Sequence, residues 1–203
     1  MGATALSLEG LVTVDADVAR LRRGDLKALS ELIVRYQNRL YRYMLRLVRQ
    51  PAEAEDLFQQ TWLKVVEKIR SFDESRNFDA WLFTLARNLA IDHLRRMRSE
   101  SLDEPLPGSE HGETLADRIS SRDQAPFDHA LAAERRMQIG EAMEALPLMY
   151  REVLTLRFEE EMKIEEIAQV TGAPVSTVKT RLRRSLEQLR CALEARYPGG
   201  KWQ

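Results

Sequence analysis

The spacing of apolar residues is the feature that most limits how this chain can fold. In two long stretches, residues 17–98 and 127–196, apolar residues recur every three or four positions, as on one face of an α-helix. Glycine and proline are scarce, with nine and seven residues among 203, and clusters of β-branched residues are few. This composition favours helices. We therefore expect an all-α protein with two small helical domains.

The segment between these domains, residues 99–126, has a different composition. It contains seven acidic and two basic residues and three of the seven prolines, and its apolar residues show no helical period. A segment of this kind cannot bury enough apolar surface to fold by itself. We predict a flexible acidic linker here. We also interpret residues 1–16 as a flexible N-terminal arm and residues 197–203 as a tail.

The charge and the cysteine content exclude several classes of protein. The formal net charge is −1, so any nucleic-acid binding has to come from a local basic patch. The single cysteine, Cys191, cannot form an internal disulfide, which favours a reducing compartment, and we expect it to be a packed thiol. We find no apolar run of membrane-spanning length and no secretory signal. We expect a cytoplasmic protein without membrane insertion of its own.

The segment 164–189 has the pattern of a helix-turn-helix. Ile164, Ile167 and Ala168 give the first helix an inner face. Gly172 permits the tight turn that follows. We predict Ser176 as the N-cap of the second helix, with an inward stripe made by Val178, Leu182, Leu186 and Leu189. The outward side chains would face the major groove of DNA; they are Thr177, Lys179, Thr180, Arg181, Arg183 and Arg184.

A solvated basic face is the alternative interpretation of this second helix. Lysine and arginine often lie near the end of a helix because its C-terminal dipole attracts cations. Here the cations begin in the first turn, where the dipole disfavours them, and this placement favours DNA reading. A few base contacts, each worth about 1–3 kcal/mol, give limited specificity, and no heptad seam predicts a dimer. We therefore expect a second DNA-contacting surface in the same chain.

The segment 72–98 is the candidate for this second surface. It combines four aromatic residues with a basic end, and single-stranded nucleic acid needs both stacking surface and phosphate attraction. We predict that the polar loop 73–77 has no packing role and that it shapes a pocket for a splayed base. The alternative is that Phe78 and Trp81 belong to the core, and for Trp81 we expect core packing to be at least half of its role.

Three stretches of the chain resemble the extracytoplasmic-function (ECF) sigma factors, group 4 of the sigma-70 family. They are AEDLFQQTWLKVVEKI, FDAWLFTLARNLAIDHLRR and YREVLTLRFEEEMKIEEIAQVTGAPVSTVKTRLRRSLEQLR, in the order and at the spacing of that family. The resemblance implies a sigma region 2 domain at 17–98 and a sigma region 4 domain at 127–196. It implies a protein that binds core RNA polymerase, directs it to promoters through −10 and −35 contacts, and promotes promoter melting.

The resemblance also implies the partners and the limits of the function. The expected polymerase contacts are the clamp helices of the largest subunit and the flap of the second-largest subunit. An anti-sigma factor, often membrane-anchored, is expected to control the protein and can hold it at the inner membrane face. The resemblance implies no cofactor, metal or catalytic activity, because the polymerase supplies the catalysis.

Residues are assigned to each contact by matching this sequence to the family's motifs. The positions matched to the polymerase contact are Asp56, Gln59, Gln60 and Lys64, with Leu57 and Trp62 shared between core and interface. The positions matched to the −10 element are Asp73, Ser75, Arg76, Asn77, Phe78, Trp81, Arg87, Asn88, Asp92, Arg95 and Arg96. The positions matched to the −35 element are Ser176, Thr177, Lys179, Thr180, Arg181, Arg183 and Arg184.

Two other classes of function compete with this interpretation. A repressor or a response-regulator output domain would need a receiver or ligand-binding domain upstream, and residues 17–98 show no α/β alternation. An enzyme would need a cluster of reactive residues. Asp92 and His93 are adjacent, so they point to different faces of a helix, and we expect His93 at the surface. No group of His, Cys and Asp has metal-ligand spacing.

Overall fold

The structure, a computed structural model, describes the backbone of residues 14–100 and 126–198. Within these ranges the regular secondary structure is entirely helical, which confirms the predicted all-α fold. Most of the predicted arm, linker and tail lies outside the described residues. The chain divides into two compact units.

The first unit is built around four helices. Helix α1 spans residues 14–22, α2 spans Leu26–Val48, α3 spans Pro51–Lys68 and α4 spans Phe78–Glu100, with a 3₁₀ turn at Ile69–Ser71 after α3. Helices α2, α3 and α4 pack against each other pairwise. Their fully buried side chains follow the predicted helical spacing, and they include Leu32, Tyr36, Leu40, Tyr43, Leu57, Leu82 and Phe83.

The ends of these helices have recognisable sequence causes. The Asp25 side chain caps α2 by accepting a hydrogen bond from the backbone N–H of Lys27 at 2.9 Å. Pro51 occupies the first turn of α3, where its missing N–H has no cost. Leu26 and Val66, two apolar residues within the helical repeats, are exposed. Leu26 is the first residue of α2, beside its cap, and Val66 is rotated out of the line that buries Ala54, Thr61 and Val65 on α3.

The second unit is built around α5 (Pro126–Glu144), α6 (Leu148–Leu154) and α8 (Val175–Arg196), with a π-helical turn at Thr155–Glu159 after α6. Helix α8 packs on both α5 and α6. Met143, Leu146 and Leu154 form a buried cluster, and Tyr150 and Leu189 pack against it. The core of this unit therefore lies where three helices meet.

The end of α5 and the end of α8 meet in this unit. Among the described side chains of α5, Ala142 and Met143 are buried, whereas Met137 and Ile139 are exposed. Tyr197, assigned to the tail, donates a hydrogen bond from its hydroxyl to the Glu141 carboxylate at 2.6 Å. This contact ties the end of α8 to α5. The side chains of residues 126–133 lie outside the described residues.

Helices α7 (Ile164–Thr171) and α8 form the predicted helix-turn-helix. Ile167 is fully buried, and the turn after α7 contains Gly172 at a φ of +63°. The backbone N–H of Ala173 donates to the carbonyl of Ala168 at 3.2 Å, which closes the end of α7. At the start of α7 the Glu166 carboxylate accepts from the N–H of Lys163 at 2.7 Å.

The start and the inner face of α8 differ from the sequence prediction. The N-cap is Pro174, so Ser176 is the second residue of the helix and not its cap. Leu186, predicted to face inward, is exposed, and Ser185 is fully buried in its place. The buried line of α8 runs through Val178, Ser185 and Leu193, and helical geometry rotates Leu186 away from this line.

Gly172→Ala should destabilise the helix-turn-helix by about 1 kcal/mol, since an L-residue with a Cβ is strained in the left-handed conformation. Nothing lies within 4 Å of a Cβ added at this position, so the cost comes from the backbone and not from a clash. Denaturant unfolding monitored by circular dichroism measures the change. Gly140→Ala, within α5, is the matched control and should be neutral or stabilising; a loss as large as that of Gly172→Ala would contradict the prediction.

Candidate nucleic-acid and protein interfaces

The outer face of α8 forms one wall of a shallow groove of about 310 Å³. The first turn of α6 forms the other wall with Met149 and Tyr150. The groove contains five of the residues predicted to read DNA, namely Ser176, Thr177, Thr180, Arg181 and Arg184. Its lining has two guanidinium groups and four hydroxyls, one of them the Tyr150 phenol, but no carboxylate. This set can bind phosphates and donate hydrogen bonds to base edges.

Two further predicted residues, Lys179 and Arg183, are exposed on α8 without lining the groove. Arg183 forms an ion pair with Glu187 one turn later, with 3.7 Å between Nη1 and Oε1. Helical geometry places both residues on the flank next to the groove face. They are positioned to contact a phosphate backbone beside the groove.

The loop before α4 is exposed, and it is braced by polar contacts of its own side chains. The Asp73 carboxylate accepts hydrogen bonds from the backbone N–H and the hydroxyl of Ser75 at 3.0 and 2.8 Å, and these bonds lower the pKa of Asp73. The side-chain oxygen of Asn77 accepts from the N–H of Ala80 at 3.1 Å and caps α4. Arg22 of α1 forms an ion pair with Glu74. The loop therefore has a defined shape.

Aromatic rings lie directly behind this loop. Trp81 contacts Phe72 and Phe78, with ring centroids 4.9 and 5.6 Å apart, and Phe78 meets Tyr36 edge-on at 5.7 Å. Phe78 is only 3% exposed, so it belongs to the core and has no free face for a base. Trp81 is half-buried, which agrees with the expectation that packing is part of its role. Trp81 is therefore the ring in this cluster that can stack.

A polar tie fixes the start of α4 against α2. The Asp79 carboxylate accepts hydrogen bonds from the hydroxyl of Tyr36 and from the guanidinium of Arg39, the latter at 3.0 Å. Burial, together with the Asp79 charge, raises the pKa of Tyr36 well above its usual range, so the phenol stays protonated and donates. Asp79 also lies in the first turn of α4, where the helix dipole favours a carboxylate.

The basic end of α4 faces α3 across a second groove, of about 370 Å³. Its polar lining consists of Lys64, Lys68, Arg87, Asn88, Asp92 and Arg95, and its apolar lining consists of Leu85, Leu89 and Ile91. Asp92 and Arg95 form an ion pair with 3.7 Å between the nearest atoms. Four of the predicted −10 residues therefore lie together, whereas Arg96 is exposed outside the groove lining.

Helix α3 presents a mixed polar and apolar face. Asp56, Gln59 and Gln60 are exposed as predicted, and Leu63 lies on the same face with 65% of its surface exposed. Val66, one turn further, is also exposed. Leu57 and Trp62, predicted to be shared with the interface, are buried in the core and do not reach this face. The helical spacing of positions 56, 59, 60 and 63 could have identified Leu63 from the sequence.

Comparisons with known proteins match both units. The models of Sigma-70 region 2 and Sigma-70 region 4 match residues 32–100 and 136–189. The ECF RNA polymerase sigma factor SigW of Bacillus subtilis is 32% identical over 85% of this chain and 92% of its own length. The RNA polymerase sigma-H factor of Pseudomonas aeruginosa is 31% identical over 87% of this chain and 92% of its own. The chain belongs to the ECF sigma factors.

The fold of this sigma factor also matches a solved structure. The sigma factor RpoE from Bartonella quintana, determined in complex with the anti-sigma factor NepR, superposes with a TM-score of 0.65. It is 23% identical and covers 83% of this chain and 98% of its own. The region 2 match contains the braced loop, the α3 face and the α3–α4 groove, and the region 4 match contains the groove of α8.

His93 of the sigma factor has a structural role that the sequence did not indicate. It was expected at the surface, but it is half-buried, and its Nε2 lies 2.9 Å from Oε2 of Glu53. Glu53 lies in the first turn of α3 and His93 in the second half of α4. The two side chains therefore meet between these two helices.

Cys191 is exposed on α8 rather than packed, because the buried line of that helix passes through Leu193 instead.

Among the described residues, no group of three or more His, Cys, Asp or Glu side chains is placed to hold a metal ion. None of the helices in residues 14–100 and 126–198 is long and apolar enough to cross a membrane.

Proposed function

We propose that this sigma factor binds core RNA polymerase through the exposed face of α3 and promoter DNA through two separate surfaces. The first DNA surface, in the region 2 unit, contacts the −10 element and supports its melting. The second, on α8, reads the −35 element. The observation that carries the proposal is the groove of α8, where two arginines and three hydroxyls line the outer face of a helix-turn-helix without an opposing carboxylate.

The groove of α8 has the chemistry for reading a duplex. Arginine can donate two hydrogen bonds to one guanine, and threonine and serine hydroxyls can contact either bases or phosphates. Arg181 and Arg184 line the groove one turn apart near the start of the helix. In helix-turn-helix proteins this part of the second helix enters the major groove. Lys179 and Arg183 on the flank would hold the phosphate backbone.

The region 2 surface has the chemistry for an unpaired strand. Flipping a base out of the stack costs a few kcal/mol, and stacking together with hydrogen bonds has to offset this cost. Trp81 offers a partly exposed ring, and the polar side chains of Ser75 and Arg76 in the braced loop are exposed. The basic end of α4, further along the helix that carries Trp81, would supply phosphate contacts. Phe78 supports Trp81 from the core.

The α3 face is the proposed contact for the clamp helices of the largest polymerase subunit. It combines exposed polar side chains (Asp56, Gln59 and Gln60) with two exposed apolar ones (Leu63 and Val66) on one side of a helix. Exposed apolar groups surrounded by polar ones are typical of a protein interface. A contact with the flap of the second-largest subunit belongs to the region 4 unit in this proposal.

Control by an anti-sigma factor is part of the proposal. The structural relative RpoE was solved together with its anti-sigma factor NepR. A regulator that covers the α3 face would compete directly with polymerase. In this scheme the protein acts in the cytoplasm, the regulator can hold it at the inner membrane face, and the polymerase carries out the catalysis.

Run-off transcription with core polymerase on a promoter library tests the proposed function. We expect this sigma factor to bind promoter DNA weakly alone and to direct specific initiation when core enzyme is added. The start sites should share two conserved elements upstream. Tight and specific operator binding by the protein alone, without polymerase, would instead support the repressor interpretation.

A further inference from the structure

We propose that Lys64 and Lys68 of α3 bind DNA phosphates, so that the −10 contact extends from α4 across the groove onto α3. This inference rests on the proposed function and changes one of its assignments, because sequence matching placed Lys64 in the polymerase contact. Lys68 was not assigned to any contact from the sequence.

The position of the two lysines on α3 separates them from the apolar residues of the proposed polymerase face. They lie four residues apart, one helical turn, and both line the groove against α4. The exposed apolar residues Leu63 and Val66 lie on the side of α3 that does not line this groove. A partner that covers Leu63 and Val66 therefore leaves the groove side of α3 available to a second ligand.

The charge of the groove favours an anionic ligand. Lys64, Lys68, Arg87 and Arg95 provide four cations, and Asp92 is the one carboxylate in the lining. That carboxylate already interacts with Arg95 at 3.7 Å. The excess of positive charge on both walls makes the groove suitable for binding the phosphates of a nucleic-acid backbone.

Both lysines can turn toward a ligand at low cost. Lys64 forms an ion pair with Glu67 at 2.7 Å, but the two side chains are 41% and 58% exposed, so solvent weakens this pair. Lys68 is exposed at the last position of α3 and forms no ion pair within the described part of the chain. For Lys64, a phosphate contact would replace its weak ion pair with Glu67. For Lys68, a phosphate contact would be an additional interaction.

DNA fits this groove better than an acidic protein segment does. The groove contains Arg87, Asn88 and Arg95, which the proposed function already assigns to promoter DNA, so the lysines continue the same surface. Its lining combines these polar groups with half-buried Leu85, Leu89 and Ile91. Cations beside apolar side chains suit a nucleic-acid strand, which has anionic phosphates next to less polar sugars and bases.

The salt dependence of promoter binding by the holoenzyme tests this inference. Each lysine that contacts a phosphate contributes about 0.9 to the slope of log K against log salt concentration for duplex DNA, and about 0.7 for a single strand. Lys64→Gln and Lys68→Gln should each reduce the slope by about this amount, and the double variant by about twice as much. The loss should be the same on promoters that differ in −10 sequence, because phosphate contacts do not read bases.

Lys27→Gln is the matched control, since Lys27 is an exposed lysine on α2 that does not line the groove. It should leave the salt slope unchanged. Core-polymerase affinity should also be unchanged in all the lysine variants. If Lys64→Gln and Lys68→Gln weaken core binding and leave the slope for DNA intact, the lysines contact polymerase and the inference is wrong. If the wild-type protein fails to initiate with core enzyme, the proposed function fails instead.

Discussion

Leu63→Asp should weaken binding of this sigma factor to core RNA polymerase by about 30-fold or more. Leu63 is 65% exposed in the middle of the α3 face, between Gln59 and Val66. In the proposed complex this side chain becomes buried, and a carboxylate at its place would be desolvated without a partner. Residues of this kind at the centre of an interface change binding by about 2 kcal/mol or more, and each 1.4 kcal/mol is a factor of ten. Titration of labelled sigma factor with core enzyme measures the affinity.

Val34→Asp is the control for this experiment. Val34 is 66% exposed on α2, in the same unit, so the introduced charge has the same effect on solubility and folding. This variant should bind core polymerase as the wild type does. Equal losses in both variants, or normal binding of Leu63→Asp, would exclude the α3 face as the polymerase contact.

Leu57 is unsuitable for the same test even though the sequence assigned it to the interface. Its side chain is 2% exposed, so Leu57→Ala would remove core packing at a cost of about 2–5 kcal/mol in stability. Loss of polymerase binding in that variant would then reflect unfolding of the domain and not loss of a contact with polymerase. Gln60→Ala is free of this problem because Gln60 is exposed on α3.

The helical fold could be predicted from the sequence because helix periodicity is a local property. The spacing of Leu32, Tyr36, Leu40 and Tyr43 on α2 places them on one face whatever the neighbouring helices are. The turn at Gly172 was predictable for the same reason, since it depends on the backbone of that residue alone. Local signals of this kind identified the helix-turn-helix correctly.

The details of the sites depend on tertiary packing, and here the sequence was ambiguous. Phe78 and Trp81 are aromatic residues one turn apart, and only the contacts with Tyr36 and Phe72 decide that Phe78 is buried while Trp81 keeps a partly exposed ring. Lys64 was assigned by matching a motif. Its neighbours across the groove come from α4, about twenty residues later in the chain, and no local pattern could identify them.

Caps and helix boundaries were a third source of error. Ser176 has the side chain of a good N-cap, but α8 already begins at Val175 with Pro174 before it. The shift by two residues moves Ser176 into the first turn, where its carbonyl accepts from the Thr180 hydroxyl at 3.0 Å. It also leaves the Ser176 side chain in the groove, so Ser176 remains among the residues proposed to contact DNA.

Arg181→Ala should reduce initiation about 5- to 150-fold at promoters with the preferred −35 element and leave core-polymerase binding intact. Arg181 lines the groove of α8 beside Thr177 and Arg184, where no carboxylate competes for its guanidinium. Removing a bidentate contact to a base costs about 1–3 kcal/mol of discrimination. Run-off transcription on paired templates, with and without the preferred −35 sequence, measures the loss and its dependence on promoter.

Arg190→Ala separates base reading from general positive charge. Arg190 is exposed on the same helix, forms an ion pair with Glu194 at 2.8 Å, and lies outside the groove lining. Both variants lose one positive charge, so non-specific attraction to DNA decreases equally. The preference for the −35 sequence should fall only in Arg181→Ala, because only that side chain reaches the base edges. An equal loss of preference in both variants would mean that α8 attracts DNA without reading it, and loss of core binding in Arg181→Ala would contradict the separation of the polymerase and −35 surfaces.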